Sequence, residues 1–385
     1  MSPVATSPRA LTLRVLHGAR EIARGDWDAL ARRGYHRHAW FVAAEACGAQ
    51  ARHVAVFAGT DLVAVLPAYI ESETLHGDLH ARWYGPAHRV AAALGGSLRP
   101  SLAVGAPMST TSAPLGSDAV LTASVLEEAM QLLEDEAHDE RVKAIVWPFI
   151  PESETLIRDI ARRRGYRESF ANSEAVIDVD WSSPEEYLGS RSKNVRRTLR
   201  NELAWVHDQG IRISWDTDLD AHAATLDAFY RASYVVRNGR PARLPSQFFA
   251  KLAAQQSSGV RVRCAWQGTT LLEMAVALEG GGALDLCLGA QAEQNRNGLL
   301  YHHCLCYDPI RAAIAGGLTR IHLGPSALYP KVLRGARLTS NLTLARGMTR
   351  ASRAAVSVLS KATDVRNRAK QRHLLRALTA GTAAR

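Results

Sequence analysis

Long apolar runs are absent from the sequence. Even the segment LVAVLPAYI at residues 62–70 is short and is interrupted by Pro67. A membrane-spanning helix needs about 20 consecutive apolar residues, so we expect no transmembrane helix. The N-terminal segment MSPVATSPRALTLRVLHGAR also lacks the apolar core of a secretory signal peptide. Both absences favour a cytoplasmic protein.

Cysteine is scarce as well. The chain of 385 residues has five, an odd number, and all stand among apolar residues. This usage is typical of a reducing compartment and gives no disulfide framework. The stretch YHHCLCYD (301–308) contains possible metal ligands, but its spacing does not match that of zinc sites. We therefore expect no metal, and the absence of G-x-S-x-G makes a serine hydrolase a poor match.

The excess of positive charge is confined to the C-terminus. Residues 346–385 hold ten of the 47 Lys and Arg residues and one acid, Asp364. The other 345 residues are nearly neutral, with 37 bases and 36 acids. A localised basic segment indicates an anionic partner such as nucleic acid, although a solvated basic helix has the same composition.

The order of predicted elements repeats along the chain. A hairpin with a Gly-Thr turn at 52–72 is followed by a helix, a buried strand, a short helix and a last strand. The same order returns from 260–280 onward. Alternating strands and helices predict an α/β fold with a mixed sheet in each half. We therefore predict domains at 1–180 and 181–345, followed by a basic tail at 346–385.

A basic helix is predicted at the start of the second half, in the stretch SRSKNVRRTLRNEL (190–203). Its apolar residues recur at helical spacing and form a face toward the core: Val195, Leu199, Leu203 and Val206. Its cations fall on another face and are candidate phosphate contacts: Lys193, Arg196, Arg197 and Arg200. The alternative is an ordinary solvated helix face.

This helix and the motifs that follow it resemble a known family. The motifs are, in chain order, ATLDAFYRASY, a hairpin with a glycine turn, LDLCLGAQ and LYPKVLRGARL. Their order over 181–345 resembles the FemAB-like and BioF2-like branch of the GNAT acyltransferase superfamily. The resemblance implies two tandem GNAT-like domains, each a twisted mixed sheet that is flanked by helices and split by a V-shaped gap.

The resemblance implies acyl transfer to an amine, directly from donor to acceptor, without a metal or a covalent enzyme intermediate. The donor is open between aminoacyl-tRNA and acyl-CoA. GNAT enzymes that use coenzyme A carry a glycine-rich loop at a helix start, where backbone N–H groups bind the pyrophosphate. The matching stretch QNRNGLLYHH (294–303) retains Gly298 without the full glycine pattern, and Arg296 stands beside it.

The incomplete loop, the basic helix and the basic tail favour aminoacyl-tRNA as the donor and tRNA as a partner, with no separate cofactor. Acyl-CoA-dependent N-acylation is the second interpretation. A non-catalytic tandem GNAT fold that binds RNA or another anion is the third. The acceptor is a small-molecule or peptide amine whose identity the sequence does not give.

The resemblance also implies site residues. Lys331 matches the lysine of the family's K-x-x-R-G motif and is expected, partly exposed, at a phosphate or at the oxyanion, with Arg334 in support. Glu273 lies within an apolar strand, where burial raises a carboxyl pKa and suits a general base. Alternatively, Glu273 points outward or pairs with an arginine. Asp285 is a second candidate base, and Tyr329 is a candidate general acid or a packing residue.

Overall fold

The computed structural model describes residues 10–71, 84, 87–93, 95–239, 242, 244–256, 259–292 and 298–383. The strands are β1 (Leu11–Leu16), β2 (Gln50–Ala51), β3 (His53–Ala58), β4 (Asp61–Leu66), β5 (Ala68–Ile70), β6 (Ser101–Val104), β7 (Leu115–Gly116), β8 (Ala144–Pro151), β9 (Arg167–Asp178), β10 (Ile211–Asp216), β11 (Val260–Gln267), β12 (Thr270–Gly280), β13 (Ala283–Gln291), β14 (Arg320–Gly324) and β15 (Arg337–Gly347).

The helices include a π-helical turn, His303–Tyr307, and two short 3-10 helices, Ala19–Glu21 and Gly34–His36. The α-helices are α1 (Arg24–Ala29), α2 (His38–Glu45), α3 (Ala87–Ala93), α4 (Ala123–Asp139), α5 (Thr155–Arg163), α6 (Pro184–Gly189), α7 (Lys193–Asp208), α8 (Leu219–Asn238), α9 (Phe248–Ala253), α10 (Gly298–His302), α11 (Asp308–Ala315), α12 (Leu328–Leu333) and α13 (Arg350–Ala383).

The strands form one large sheet and one small sheet. Over the described residues, the large sheet has eleven strands in the order β10-β11-β12-β13-β14-β9-β15-β8-β6-β5-β2, and the small sheet has the order β1-β3-β4-β7. Strands β4 and β5 are consecutive apart from Pro67, so the chain leaves the small sheet and enters the large one at that proline. Proline suits such a junction because it donates no ladder hydrogen bond.

The predicted repeat is present, and the two halves exchange their last strands. In the first half β6 and β8 pair in parallel, as β13 and β14 do in the second half. Strand β9 then crosses over to pair with β14, while β15 pairs with β8. The two exchanged strands pair with each other, antiparallel, at the centre of the sheet. The halves therefore share one continuous sheet, and the domain boundary near residue 180 stays a prediction.

Parallel strands separate in each half, but the two gaps differ. In the second half β13 and β14 pair over three residues each, from Ala283 and Arg320, and then diverge. In the first half the chain at 105–113 fills the corresponding position. Its Ser112 N–H donates to Phe149 O at 3.3 Å, and Trp40 Nε1 donates to Pro107 O at 2.7 Å. The second half thus keeps an open gap.

The basic tail is a long helix that packs on the body of the protein. Helix α13 buries Val356 and Leu359 against the large sheet. Its Asn367 donates to the carbonyl oxygens of Phe170 and Ala171 at 3.0 and 2.9 Å. These carbonyls lie where the register of β9 and β15 shifts, so Asn367 satisfies groups that the ladder leaves unpaired. Residues 350–378 therefore form a helix with one face packed on the protein.

Candidate active site

The open gap of the second half contains a cavity of about 140 Å³. One wall comes from β13, a second from the end of β14, and a third from α10 and the π-helical turn. Gly324 adopts a φ of 74°, which favours glycine, at the point where β14 leaves the ladder. The described lining residues are Thr110, Arg263, Glu273, Ala275, Leu286, Cys287, Leu288, Gly289, Gln291, Tyr301, Leu305, Leu323, Gly324, Pro325 and Ser326.

A buried ionic cluster forms the polar wall of this gap cavity. Arg263 donates to Glu273 Oε1 at 2.6 Å and lies 4.0 Å from Asp308 Oδ2. Burial raises the pKa of Glu273, although Arg263 opposes the shift. Burial likewise raises the pKa of Asp308, which accepts a hydrogen bond from Trp215 Nε1 at 2.8 Å. Glu273 therefore pairs with an arginine and faces a cavity, and it does not point outward.

Two buried thiols lie at the cavity wall or next to Glu273, and neither is an activated nucleophile. Burial raises the pKa of Cys287, which lines the cavity, and that of Cys304, next to Glu273. The reactive form of cysteine is the thiolate, so both thiols are poor nucleophiles near neutral pH. The five cysteines of the chain are all free. In the part of the chain that the structure describes, no three His, Cys, Asp or Glu residues come together as a metal site.

Lys331 lies behind the cavity wall and is fully buried, so the expected partial exposure was wrong. Its Nζ donates to Leu323 O at 2.6 Å and to Gly324 O at 3.3 Å. Both residues line the cavity, at the point where β14 shifts register against β9. Burial lowers the pKa of Lys331 to about 8. These contacts indicate that Lys331 holds the wall in shape; its expected phosphate or oxyanion role has no support from its position.

Arg334 is also engaged inside the protein. Its guanidinium pairs with Glu202 of α7, which accepts a further hydrogen bond from Tyr307 at 2.9 Å. Burial raises the pKa of Glu202, but the neighbouring His302 ring and the Arg334 guanidinium outweigh burial and lower it to about 2. The sequence prediction placed Arg334 in support of Lys331 at a phosphate or at the oxyanion, and it missed Glu202. The phosphate contact of Arg334 stays a prediction, and its buried position beside Glu202 gives that contact no support.

Asp285 belongs to a second buried cluster that joins the two halves. Its carboxylate accepts hydrogen bonds from Gly34 N at 2.7 Å and Arg33 Nε at 2.9 Å. Arg33 also donates to Glu174 of β9 at 3.1 Å. Asp285 does not line the gap cavity, so the structure gives no support to it as a general base. Tyr329, half-buried on α12, is likewise not part of the described lining.

A larger cleft of about 510 Å³ lies beside the gap cavity, over the exchanged strands. Glu174, His36 and His322 are among its lining residues. Thr110, which lines the gap cavity, donates to Glu174 Oε1 at 3.2 Å and so stands between the two spaces.

The basic helix forms as predicted, with its apolar face toward the core. Leu199 and Val206 are buried, and Val195 and Leu203 are half-buried. Among the cations, Lys193, Arg197 and Arg200 are exposed, whereas Arg196 is half-buried and donates to Gly189 O at 3.4 Å. Gly298 begins α10 and is exposed. Arg296 lies outside the described residues.

No described helix has the length and apolar character that a membrane span requires.

Comparison with known proteins identifies structures of the same fold. The chain is similar to the crystal structure of FemX, with a TM-score of 0.55 and 13% identity over 86% of this chain and 96% of that one. It is also similar to the C-terminal domain of a putative lysylphosphatidylglycerol synthetase from Agrobacterium fabrum, with a TM-score of 0.57 and 9% identity over 89% and 96% of the two chains. At such identities the likeness establishes the fold alone.

The architecture confirms the predicted fold class, an α/β fold of two similar halves with mixed sheets flanked by helices. No curated protein sequence matches this chain. The sequence profile of the FemAB-like family, described as peptidoglycan biosynthesis/recognition, matches residues 18–377. This match spans nearly the whole chain, so the protein belongs to the FemAB-like family.

Proposed function

We propose that the protein is an aminoacyltransferase that moves an aminoacyl group from tRNA to an amine at the gap cavity. Family membership and the similar structures support acyl or aminoacyl transfer as the general activity. The observation that carries the proposal is the open gap between β13 and β14, with a buried carboxylate on its wall. One similar structure is named a lysylphosphatidylglycerol synthetase, a name that describes attachment of an aminoacyl group.

The proposed reaction needs orientation more than unusual chemistry. The neutral acceptor amine attacks the ester carbonyl, the new C–N bond forms, and the C–O bond to the tRNA ribose breaks. The proton that leaves the amine passes to the departing ribose oxygen. Holding the two reactants in a shaped cavity supplies much of the rate enhancement, because it replaces a bimolecular encounter. Because the buried thiols are poor nucleophiles, the simplest route is direct transfer from donor to acceptor without a covalent enzyme intermediate.

The exposed face of α7 is the proposed surface for the tRNA backbone. Lys193, Arg197 and Arg200 are exposed and stand three or four positions apart, so they share one helix face. Helix α13 adds exposed cations over its described length: Arg350, Arg353, Lys361, Lys370, Arg372 and Arg376. A cytoplasmic location, where charged tRNA occurs, accompanies this proposal. Acyl-CoA remains the second candidate donor, because Gly298 opens a helix beside the gap.

Binding of charged tRNA is expected to weaken steeply with salt. Each phosphate contact releases counterions, and about four contacts give a slope of roughly −3 to −4 for log K against log salt. Arg197→Gln and Arg200→Gln should each reduce the slope by about one, because each removes one phosphate contact. The measurement is filter binding of the full-chain protein to charged tRNA over a salt series, beside acetyl-CoA.

Arg162→Gln is the matched control. Arg162 is exposed and basic but lies on α5, where it pairs with Asp159 at 2.7 Å. It should leave the slope unchanged. The tRNA donor is contradicted if charged tRNA binds only at the nonspecific level while acetyl-CoA binds saturably and is turned over. That result would support acyl-CoA as the donor instead.

A further inference from the structure

The ionic cluster on the wall of the gap cavity has more buried acid than base. Glu273 and Asp308 are 4% and 6% exposed, and Arg263, 3% exposed, is the cation that both contact. Burying a carboxylate without a counter-charge is unfavourable, and one guanidinium carries a single positive charge. Arg311, the cation that follows on α11, is exposed. Among the residues that the structure describes, the cluster therefore holds one buried cation for two buried acids.

The part of this cluster that reaches the cavity is the Glu273 carboxylate with its arginine. Oε1 is held by Arg263, while Oε2 has a longer contact, 3.4 Å, with Gln291 Nε2. Gly289 faces the carboxylate from β13, since a Cβ there would stand 3.9 Å from Oε1. The lack of a side chain at Gly289 leaves room in front of Glu273 for a small charged group.

The rest of the cavity suits the apolar part of an amino acid. Its other walls include Ala275, Leu286, Leu288, Leu305 and Leu323. A cavity of about 150 Å³ in another protein holds a benzene molecule, so about 140 Å³ accommodates a small or medium side chain. An acidic end and an apolar body together match an aminoacyl group with a free α-ammonium.

We infer that Glu273 binds the α-ammonium of the aminoacyl donor and thereby selects aminoacyl esters over acyl groups that lack a free amine. The inference rests on the proposed function and names the donor class of the same site. A general base at Glu273 is the competing role. A guanidinium 2.6 Å away stabilises the ionised carboxylate and weakens it as a base, while a bound ammonium adds a second positive charge beside the two buried acids.

The test compares two donors that differ in one group. Alanyl-tRNA and lactyl-tRNA, made from it by deamination, share the tRNA and the ester, and differ only in an ammonium against a hydroxyl. The full-chain protein should bind alanyl-tRNA at least about tenfold more tightly, in the range of a charge-assisted hydrogen bond. In Glu273→Gln this preference should disappear through weaker binding of alanyl-tRNA, with lactyl-tRNA unchanged.

Two further variants make the result specific. Glu134→Gln changes another buried carboxylate, on α4, that is paired with Arg164 and lines neither the gap cavity nor the cleft, and it should keep the preference. Gly289→Ala adds a methyl group in front of Glu273 at ordinary contact distance, without backbone strain. It should weaken alanyl-tRNA binding several-fold while the thermal unfolding temperature is unchanged. If Glu273→Gln fails to fold, Gly289→Ala alone still tests the inference.

The possible outcomes separate this inference from the proposed function. Equal binding of both donors by the unmodified protein would overturn the inference and leave tRNA-dependent transfer standing. A preference for alanyl-tRNA that survives in Glu273→Gln would also overturn the inference. Any ammonium that Glu273 binds would then belong to the acceptor and not to the donor. If neither charged tRNA binds above the nonspecific level, the proposed function fails and the inference fails with it.

Discussion

Arg33→Met is expected to lower the free energy of unfolding by about 4 kcal/mol, because it leaves two buried carboxylates without their cation. Arg33 donates to Glu174 on β9 and to Asp285 on β13, and these acids are 3% and 1% exposed. It comes from the first half of the chain and inserts next to Gly34, whose N–H Asp285 also binds. The variant should therefore loosen the junction between the halves. Urea unfolding at neutral pH measures the loss.

The same variant should change how stability depends on pH. Burial raises the pKa of Glu174, but Arg33 and then His322 outweigh burial and lower it from 4.5 to about 2. A carboxyl whose pKa is lowered on folding stabilises the native state fully above pH 4.5, and this contribution is lost as the pH falls toward 2. A shift of this size corresponds to about 3 kcal/mol. In Arg33→Met the free energy of unfolding should no longer fall between pH 4.5 and 2. Without its cation the buried Glu174 carboxyl is more stable protonated, so acid no longer destabilises the folded state.

A triple variant provides the control for Arg33. Arg33→Met combined with Glu174→Gln and Asp285→Asn removes the charges together, and replacing a whole buried ionic group is often close to neutral. It should recover most of the stability that the single change loses. The expectation is contradicted if Arg33→Met unfolds at the same urea concentration as the unmodified protein.

Local sequence patterns predicted the helices and strands of this fold better than they predicted which strands pair with each other. The helical spacing of Val195, Leu199 and Val206 predicted α7, because one face of a helix must be apolar to pack. The exchange of β9 and β15 was not predicted. Either strand offers the same alternating pattern to β8 as to β14, and the choice between them depends on contacts far apart in the sequence.

The same reasoning explains which site residues the sequence indicated. Glu273 was recognised because a single acid interrupts an apolar strand. Arg33, Glu174 and Arg334 lie in mixed stretches where charged residues are normally exposed, so their burial as ion pairs was missed. Glu202 left a weak signal, since it occupies an inward position of α7 four residues before the buried Val206.

Lys331 shows why a motif match does not fix the position of a side chain. Lysines are mostly exposed, so a cation near a phosphate was the natural expectation. In the structure its amine instead binds two carbonyl oxygens at the end of β14. The ends of β14 and β13 form the gap, and a lysine beneath this bend satisfies carbonyls that pairing with β9 leaves free.

Lys331→Met should accordingly destabilise the protein and distort the gap cavity. Methionine has a similar length but donates no hydrogen bond, so the carbonyl oxygens of Leu323 and Gly324 lose their partner. Leaving buried carbonyls unpaired costs about 2 to 3 kcal/mol at neutral pH. Binding of charged tRNA should weaken together with stability, because both carbonyls belong to residues of the cavity wall.

The difference in free energy of unfolding between the unmodified protein and Lys331→Met should depend on pH, and this dependence distinguishes a buried lysine from an exposed one. Burial lowers the pKa of Lys331 from 10.5 to about 8, so between these values the unfolded chain binds a proton that the folded protein does not. Lys331 therefore contributes more to stability above pH 10.5 than at pH 8, and only this additional part is lost as the pH falls to 8. The stability of the unmodified protein relative to Lys331→Met should rise by roughly 2 to 3 kcal/mol across this range.

Urea unfolding at several pH values measures this rise, with Lys361→Met, which changes an exposed lysine of α13, as the control. A difference that stays constant from pH 8 to 10.5 would show that Lys331 titrates as an exposed amine, and it would return this residue to the candidates for phosphate binding.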